Sequence, residues 1–245
     1  MAVALIVAAG RGERLGSDRP KALVALAGRP MLAWSVDALR AVPAVREIVV
    51  ALPAQWQHAA PEGVIAVAGG EQRSHSVRAA LRASSGHDPV IVHDAARPLV
   101  TPALFLAALA ELEGSGAQAA VAAAPVTDTI KEAAGDRHTV TRTLDRSRLW
   151  AIQTPQVFRR DALQAALDGS DALLARATDD AWLIEQAGGT VRIVPSGPGN
   201  FKVTTPQDLR VAELLIADRD RAATGSPVAD HHHGAATGPG EEPSP

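Results

Sequence analysis

The sequence predicts an α/β protein with a doubly wound, mostly parallel sheet. Three observations carry this expectation. Short β-branched apolar runs alternate with helical segments, the pattern of repeated βαβ units. Those runs lack period-2 alternation, as strands buried on both faces do. The first run, VALIVAAG at residues 3–10, closes on Gly10 and opens directly into a glycine-rich turn, the place where open α/β sheets bind ligands.

Each element follows from local pattern. Residues 30–42, PMLAWSVDALRAV, space Leu32, Val36 and Leu39 along one helical face, with Pro30 at the start. EIVVALP and GVIAVAGG read as strands stopped by Pro53 and by the glycine pair 69–70. RSHSVRAALRA reads as a helix, and PVIVHDAARP as a strand ending near His93 and Asp94. PALFLAALAELE and AQAAVAAAPV continue the helix–strand rhythm. Residues 126–152 interrupt it: they are polar and threonine-rich with a Gly-Asp turn, and read as an extended hairpin arm that must pack on this domain or on a second copy. Helices follow near 160–168 and 179–187, then the strand TVRIVPS and a last helix from Pro206 to about Asp218. One domain over 1–218 and a disordered Gly/Pro/Ala-rich tail over 219–245 complete the expected organisation.

Composition narrows the function classes. The chain has 245 residues, 47% hydrophobic, and a formal net charge of −3, so no global basic field points to nucleic acid. It contains no cysteine, which excludes disulfides and thiolate metal sites. No stretch is long and apolar enough for a membrane helix, and MAVALIVAAG lacks a basic leader, so it is not read as a signal peptide. A cytoplasmic protein that binds no membrane is the expectation.

The turn AAGRGERLGSDRPKA brings glycines together with Arg11, Arg14 and Lys21. Backbone N–H groups approach an anion where side chains are absent. The spacing of Gly10, Gly12 and Gly16 misses the dinucleotide fingerprint by one residue, and the second strand lacks its ribose-binding acid. The P-loop pattern is absent as well. What remains reads either as a solvated basic loop or as a triphosphate site gripped by arginine forks and a lysine.

AAGRGERLGSDRPKAL resembles the signature of nucleotidyltransferases. Further stretches narrow the resemblance: GGEQRSHSV (69–77), VHDAARP (92–98), PVTDTIK (125–131), TLDRSRLWAIQTPQVF (143–158), TDD (178–180) and FKVTTPQDL (201–209). In that order they resemble the 2-C-methyl-D-erythritol 4-phosphate cytidylyltransferase family, from about residue 3 to 216. The resemblance implies a Rossmann-like nucleotidyltransferase fold and a homodimer clasped by the arm. It implies transfer of CMP from CTP to methylerythritol phosphate, with release of pyrophosphate, in isoprenoid precursor synthesis. Mg²⁺ is the implied cofactor.

The resemblance also assigns residues. Arg14 and Lys21 are the catalytic pair, stabilising charge on the transferring phosphate and on the pyrophosphate. Ala8, Ala9, Gly10 and Gly12 wrap the nucleotide; Gly70, Glu71 and Ser76 read cytosine, and Ala95 completes the CTP contacts. Glu71 stands where the family often has Asp, a change that a backbone contact tolerates. Asp94 is the metal ligand, although an aspartate after a strand is also a common helix cap. Arg97, Thr129, Arg146, Thr154 and Lys202 bind the second substrate, Thr129 and Arg146 across the dimer interface.

Other residues receive no role at this level. His93 reads as structural, Arg11 as solvent-facing charge, Arg73 and Ser74 as ordinary polar residues at a helix start, and Asp179 and Asp180 as capping acids. Asp230, His231 and His232 spell an Asp-x-His metal motif found in a fused synthase, but the Gly/Pro-rich remainder is too short for a domain. Two rivals share the fold: a cytidylyltransferase for ribitol 5-phosphate, and a non-catalytic nucleotide-binding regulator.

Overall fold

A computed structural model describes residues 1–10, 12, 15 and 18–224. A seven-stranded mixed sheet forms its centre. In chain order the elements are β1 (Ala2–Val7), β2 (Ala25–Leu26), β3 (Arg29–Pro30), α1 (Met31–Arg40), β4 (Val45–Leu52), β5 (Ile65–Ala68), α2 (Arg73–Ala83), β6 (Val90–Asp94), α3 (Pro102–Ser115) and β7 (Ala119–Pro125). Then follow β8 (Lys131–Ala133), β9 (Val140–Thr143), β10 (Trp150–Phe158), α4 (Arg160–Leu167), α5 (Asp171–Arg176), α6 (Asp180–Gln186), β11 (Val191–Pro195) and α7 (Pro206–Thr224). The main sheet runs β11-β7-β10-β6-β1-β4-β5. All its pairings are parallel except those of β10, which is antiparallel to both β6 and β7.

Alternation along β1 explains the double winding. Ala2, Ala4 and Ile6 pack on one face with Leu32, Val36 and Leu39 of α1 and with Phe105, Ala108 and Leu112 of α3. Val3 and Leu5 pack on the other with Val77 and Leu81 of α2 and residues of α4 and α6. Both faces are covered, so β1 needs apolar side chains at every position and shows no alternation in its sequence. Each fully buried Leu or Ile contributes about 1.5–3 kcal/mol. A smaller cluster, Leu26, Met31, Leu99, Val203, Ala212 and Ile216, seats α7 beside the β2–β3 hairpin.

The sheet order sets the position of the site. From β1 the chain moves outward to β4 and β5, then returns to the other side of β1 as β6. The connections after β1 and after β6 therefore diverge, and a crevice opens between the carboxyl ends of these two neighbours.

Three expectations need correction. The arm does not extend to 152: Trp150–Phe158 is a strand of the main sheet, and only the segment ahead of it, with the exposed β8–β9 hairpin, stands out. Pro155 and the polar residues Gln153, Thr154 and Gln156 disguise this strand, because a central strand ordinarily excludes proline. The ladder accommodates it by an irregularity between Ile152 and Gln156. The last helix continues past Asp218 to Thr224, since no Gly or Pro interrupts residues 207–224 and Arg219 donates to the Leu99 carbonyl at 2.8 Å. The expected tail thus loses residues 219–224 to the helix; the rest of it, with Asp230, His231 and His232, lies outside the described residues. The short helix α5 was not expected. No helix among the described residues is long and apolar enough to cross a membrane.

The start of α7 is fixed by a reciprocal cap. Asp208 Oδ2 accepts from the backbone N–H groups of Thr204 at 2.7 Å and Thr205 at 2.9 Å, while Thr205 Oγ1 accepts from the Asp208 N–H at 3.1 Å. The Thr204 hydroxyl and these N–H groups hold the Asp208 carboxyl down at about 2. Asp208→Ala should lower stability by about 1 kcal/mol in urea denaturation at pH 7. Because the folded pKa is depressed, this difference is present above the ordinary carboxylate range and should fade as pH falls towards about 2.

Candidate active site

The crevice between β1 and β6 is a cleft of about 560 Å³, within the range of small-ligand sites. Its floor is the backbone from Val7 to Gly10 with Gly12; one wall is the start of α2, the other is Asp94–Ala96 with Lys202 and Thr204. All eight residues expected to bind the nucleotide line it: Ala8, Ala9, Gly10, Gly12, Gly70, Glu71, Ser76 and Ala95. Lys21 does too, whereas Arg14 and Arg11 lie outside the described residues.

Glycine is required where the cleft backbone folds tightly. Gly12 has φ +72°, and a Cβ there would come within 2.9 Å of Lys21 Cβ. The Lys21 N–H donates to the Gly10 carbonyl at 3.2 Å. Gly10 and Gly12 therefore pack directly against the base of Lys21, at the start of the short 3-10 segment Lys21–Leu23. A Cβ on Gly69 would approach Ala9 Cβ at 2.4 Å, so the β1 turn and the turn before α2 close on each other. Ser76, 1% exposed, locks this second turn by accepting from the Gly70 N–H at 3.1 Å. Its hydroxyl is engaged in shaping the Gly70–Gln72 backbone.

A chain of charges closes the far wall. Asp94 Oδ1 accepts from Arg73 Nε at 3.1 Å and Oδ2 from Lys202 Nζ at 2.7 Å. Arg73 also donates through Nη1 to Asp180 Oδ2, and the Asp180 side chain is 1% exposed. Burial by itself would raise the Asp94 pKa, but Arg73 and Lys202 outweigh it and hold the carboxyl well below the usual range. Burial raises Asp180, with Arg73 opposing. Burial would lower Arg73, yet Asp180 and Asp94 keep its guanidinium charged.

Arg73 and Asp180 are the residues that sequence reasoning missed. The available signal was a cation in the first turn of α2, which has no acid there, against the helix dipole. The second signal was an Asp-Asp pair where one cap suffices. Asp179 makes that cap, accepting from the Trp182 N–H at 2.8 Å.

Behind Asp94 lies a smaller cavity of about 270 Å³, lined by Arg97, Thr154, Thr178 and Asp179 and sharing Arg73, Asp94 and Lys202 with the larger cleft. Thr154 is buried, and its hydroxyl accepts from the Asp94 N–H at 3.0 Å, so it steers the Asp94 backbone as well as lining the cavity. Arg97 donates to the Asn200 carbonyl at 2.9 Å, and the Val203 N–H to the Ala96 carbonyl at 2.8 Å. These bonds pin the Lys202 segment against the loop after β6. Thr129 and Arg146 are not brought to either cavity: both are exposed on the arm, and Arg146 donates to the Thr127 carbonyl.

His93 is structural in its contacts. It is fully buried, packs edge-on against Phe105, and its Nδ1 lies 3.1 Å from Thr154 Oγ1. Thr154 Oγ1 accepts from the Asp94 N–H, and its own proton is free to be donated to Nδ1 of a neutral ring. Burial lowers the His93 pKa to about 4, with Asp94 opposing. The unfolded chain binds this proton more tightly, so stability is full above the ordinary histidine value and falls with pH towards about 4. NMR titration should show the His93 ring neutral at pH 6, and a ring that titrates near its ordinary value would contradict the assignment.

Comparison with known proteins converges on one family. The model of the IspD family, 2-C-methyl-D-erythritol 4-phosphate cytidylyltransferase, matches residues 2–218. The relative of that name in Nocardia farcinica is 47% identical over 225 residues, covering 89% of this chain and 94% of the relative. The one in Deinococcus radiodurans is 47% identical over 217 residues, covering 89% and 90%. The crystal structure of the protein of that name from Thermus thermophilus superposes with a TM-score of 0.73 at 32% identity, covering 87% of this chain and 98% of that one. That from Francisella tularensis gives 0.75 at 31%, with the same coverage. With a family model matched over nearly the whole folded chain and relatives at 47% identity, the chain belongs to the 2-C-methyl-D-erythritol 4-phosphate cytidylyltransferase family.

Proposed function

We propose that this chain transfers CMP from CTP to 2-C-methyl-D-erythritol 4-phosphate, releasing pyrophosphate, in isoprenoid precursor synthesis. Beyond family membership, one observation carries the reading: the two cavities meet at a shared wall of Arg73, Asp94 and Lys202. Two phosphate-bearing substrates bound in them would bring their phosphates to the same charges.

The reaction asks for positioning and charge, and no base. A phosphate oxygen of the acceptor forms the new bond to the α-phosphorus of CTP. The bond from that phosphorus to the oxygen bridging to the β-phosphate breaks, and pyrophosphate carries away the electron pair. The acceptor phosphate is already ionised, so no proton need be removed. In this reading the backbone around Ala8–Gly12 wraps the nucleotide, Gly70 and Glu71 meet the base, and Lys21 and Arg14 face the transferring phosphate and the pyrophosphate. Lys202 and Arg97 receive the acceptor phosphate. Fixed charges of this kind act where charge develops and need no reorganisation during the reaction.

Mg²⁺ belongs to the same reading. Among the described residues no three His, Cys, Asp or Glu side chains gather into a metal cage. Magnesium held by one carboxylate, with phosphates and water completing its shell, needs no such cage. Asp94 is kept ionised at the wall both cavities share, and its oxygen donors fit the ion. When bound, the ion would neutralise phosphate charge. A cytoplasmic location belongs to the same reading, since CTP is available there.

The arm is the dimer contact in this proposal. β8 and β9 are exposed along their whole length, and Val140 is 56% exposed. Thr129 and Arg146 stand away from their own cavities, so they would complete the acceptor site of a second copy.

Pyrophosphate release with CTP and Mg²⁺ tests the assignment: methylerythritol phosphate should support turnover and ribitol 5-phosphate should not, and the reverse result would overturn it. Arg146→Ala should raise KM for the acceptor about tenfold or more, as loss of a charge-assisted contact does, with little change in KM for CTP. Mixing Arg146→Ala with Lys21→Ala protein should restore activity if the arm acts across the dimer, because one site in each mixed dimer would then be intact.

A further inference from the structure

We infer that Asp180 is a positioning residue: it holds the Arg73 guanidinium between two carboxylates, so that Asp94 gives Arg73 one oxygen and keeps the other turned to the wall where both substrates meet. The inference rests on the reading of Asp94 as a group that faces both substrates.

Asp180 lines neither cavity, so any effect on the reaction must pass through Arg73. It is not needed as a cap, since Asp179 fills that role. Its side chain is 1% exposed and its Oδ1 has no hydrogen-bond partner among the described residues. A carboxylate buried so incompletely paired is costly to fold around. Its contact with Arg73 spans 107 positions of sequence, so only the fold brings the two together.

The guanidinium geometry shows what the contact achieves. Nε and Nη2 share the edge with which arginine ordinarily grips a carboxylate in two parallel bonds. Arg73 does not grip Asp94 in this way. Nε donates to Asp94 Oδ1, Nη1 donates to Asp180 Oδ2, and Nη2 is buried without a hydrogen-bond partner. The pull of Asp180 on Nη1 thus holds the guanidinium back from the two-bond arrangement. Asp94 Oδ2 is left to Lys202, whose side chain is 42% exposed and has room to turn to an arriving phosphate. Without the negative charge at 180, Arg73 would be released to take both Asp94 oxygens.

The test is Asp180→Asn, which keeps volume and an acceptor oxygen but removes the charge. Two readouts separate positioning from folding. In the dimer with methylerythritol phosphate, CTP and Mg²⁺, kcat per folded molecule should fall about ten- to a hundredfold, with KM for CTP within about threefold and the melting temperature near that of the parent. Without acceptor, Mn²⁺ binding in the presence of CTP, read by water proton relaxation, should weaken about tenfold. If Asp180→Asn does not fold, Arg73→Lys serves, since a single ammonium cannot reproduce the fork, and the same two changes are expected. Asp94→Asn is the control: loss of its activity while the folded Asp180→Asn keeps parental kcat or parental Mn²⁺ binding overturns the positioning role alone. Full activity of Asp94→Asn would overturn the reading of Asp94 and the inference with it.

Discussion

The site depends on one carboxylate held between two cations. Asp94 ends β6 beside β1, at the place where the order of the sheet reverses. Its backbone is held by the Thr154 hydroxyl from β10, one oxygen by Arg73 from α2, and the other by Lys202 from the segment before α7. Three distant parts of the chain thus converge on a single residue. A carboxylate with 10% of its side chain exposed would ordinarily be pushed towards its neutral form; here the flanking cations keep it ionised.

The antiparallel strand β10 makes this convergence possible. Inserted between β6 and β7, it carries Gln153, Thr154 and Gln156 into the interior, where an all-parallel sheet would place aliphatic side chains. Each of these polar groups has partners. Gln153 accepts from Ser196 and Asn200, Gln156 donates to Asp179 and accepts from the Ala181 N–H, and Thr154 serves both Asp94 and His93. Buried polar groups are tolerated only when satisfied in this way. These bonds tie the loop after β6, the start of α6 and the Lys202 segment to one strand.

That strand also marks the limit of what was legible. β1, β4 and α2 announced themselves because burial on two faces, or an apolar stripe, leaves a local signature. The glycines after β1 and before α2 were legible as tight turns because positive φ and close approach demand glycine, as Gly12 and Gly69 demonstrate. β10 was hidden because its residues answer to partners from other elements, and Pro155 argues locally against a central strand. Arg73 and Asp180 were hidden for a related reason. Each looks like an ordinary helix-start residue, and only the fold reveals that they pair. The end of α7 was misjudged because a charged, alanine-rich stretch reads alike as tail or as helix until a docked Arg219 decides between them.

The division of labour between the two cations follows from their surroundings. Arg73 is fixed by two carboxylates, has 26% of its side chain exposed, and cannot leave without stranding Asp180. Lys202 has one carboxylate partner, more exposure and a flexible stem. Asp94 and Asp180 face Arg73 and Lys202, so opposite charges offset one another along the wall and limit its self-repulsion. In the proposed reaction an arriving phosphate would compete with Asp94 for Lys202 and leave the Arg73 pairs in place. On that proposal the positive charge offered to substrate is stored as an ion pair, and Lys202, the more exposed partner, is the half with room to move.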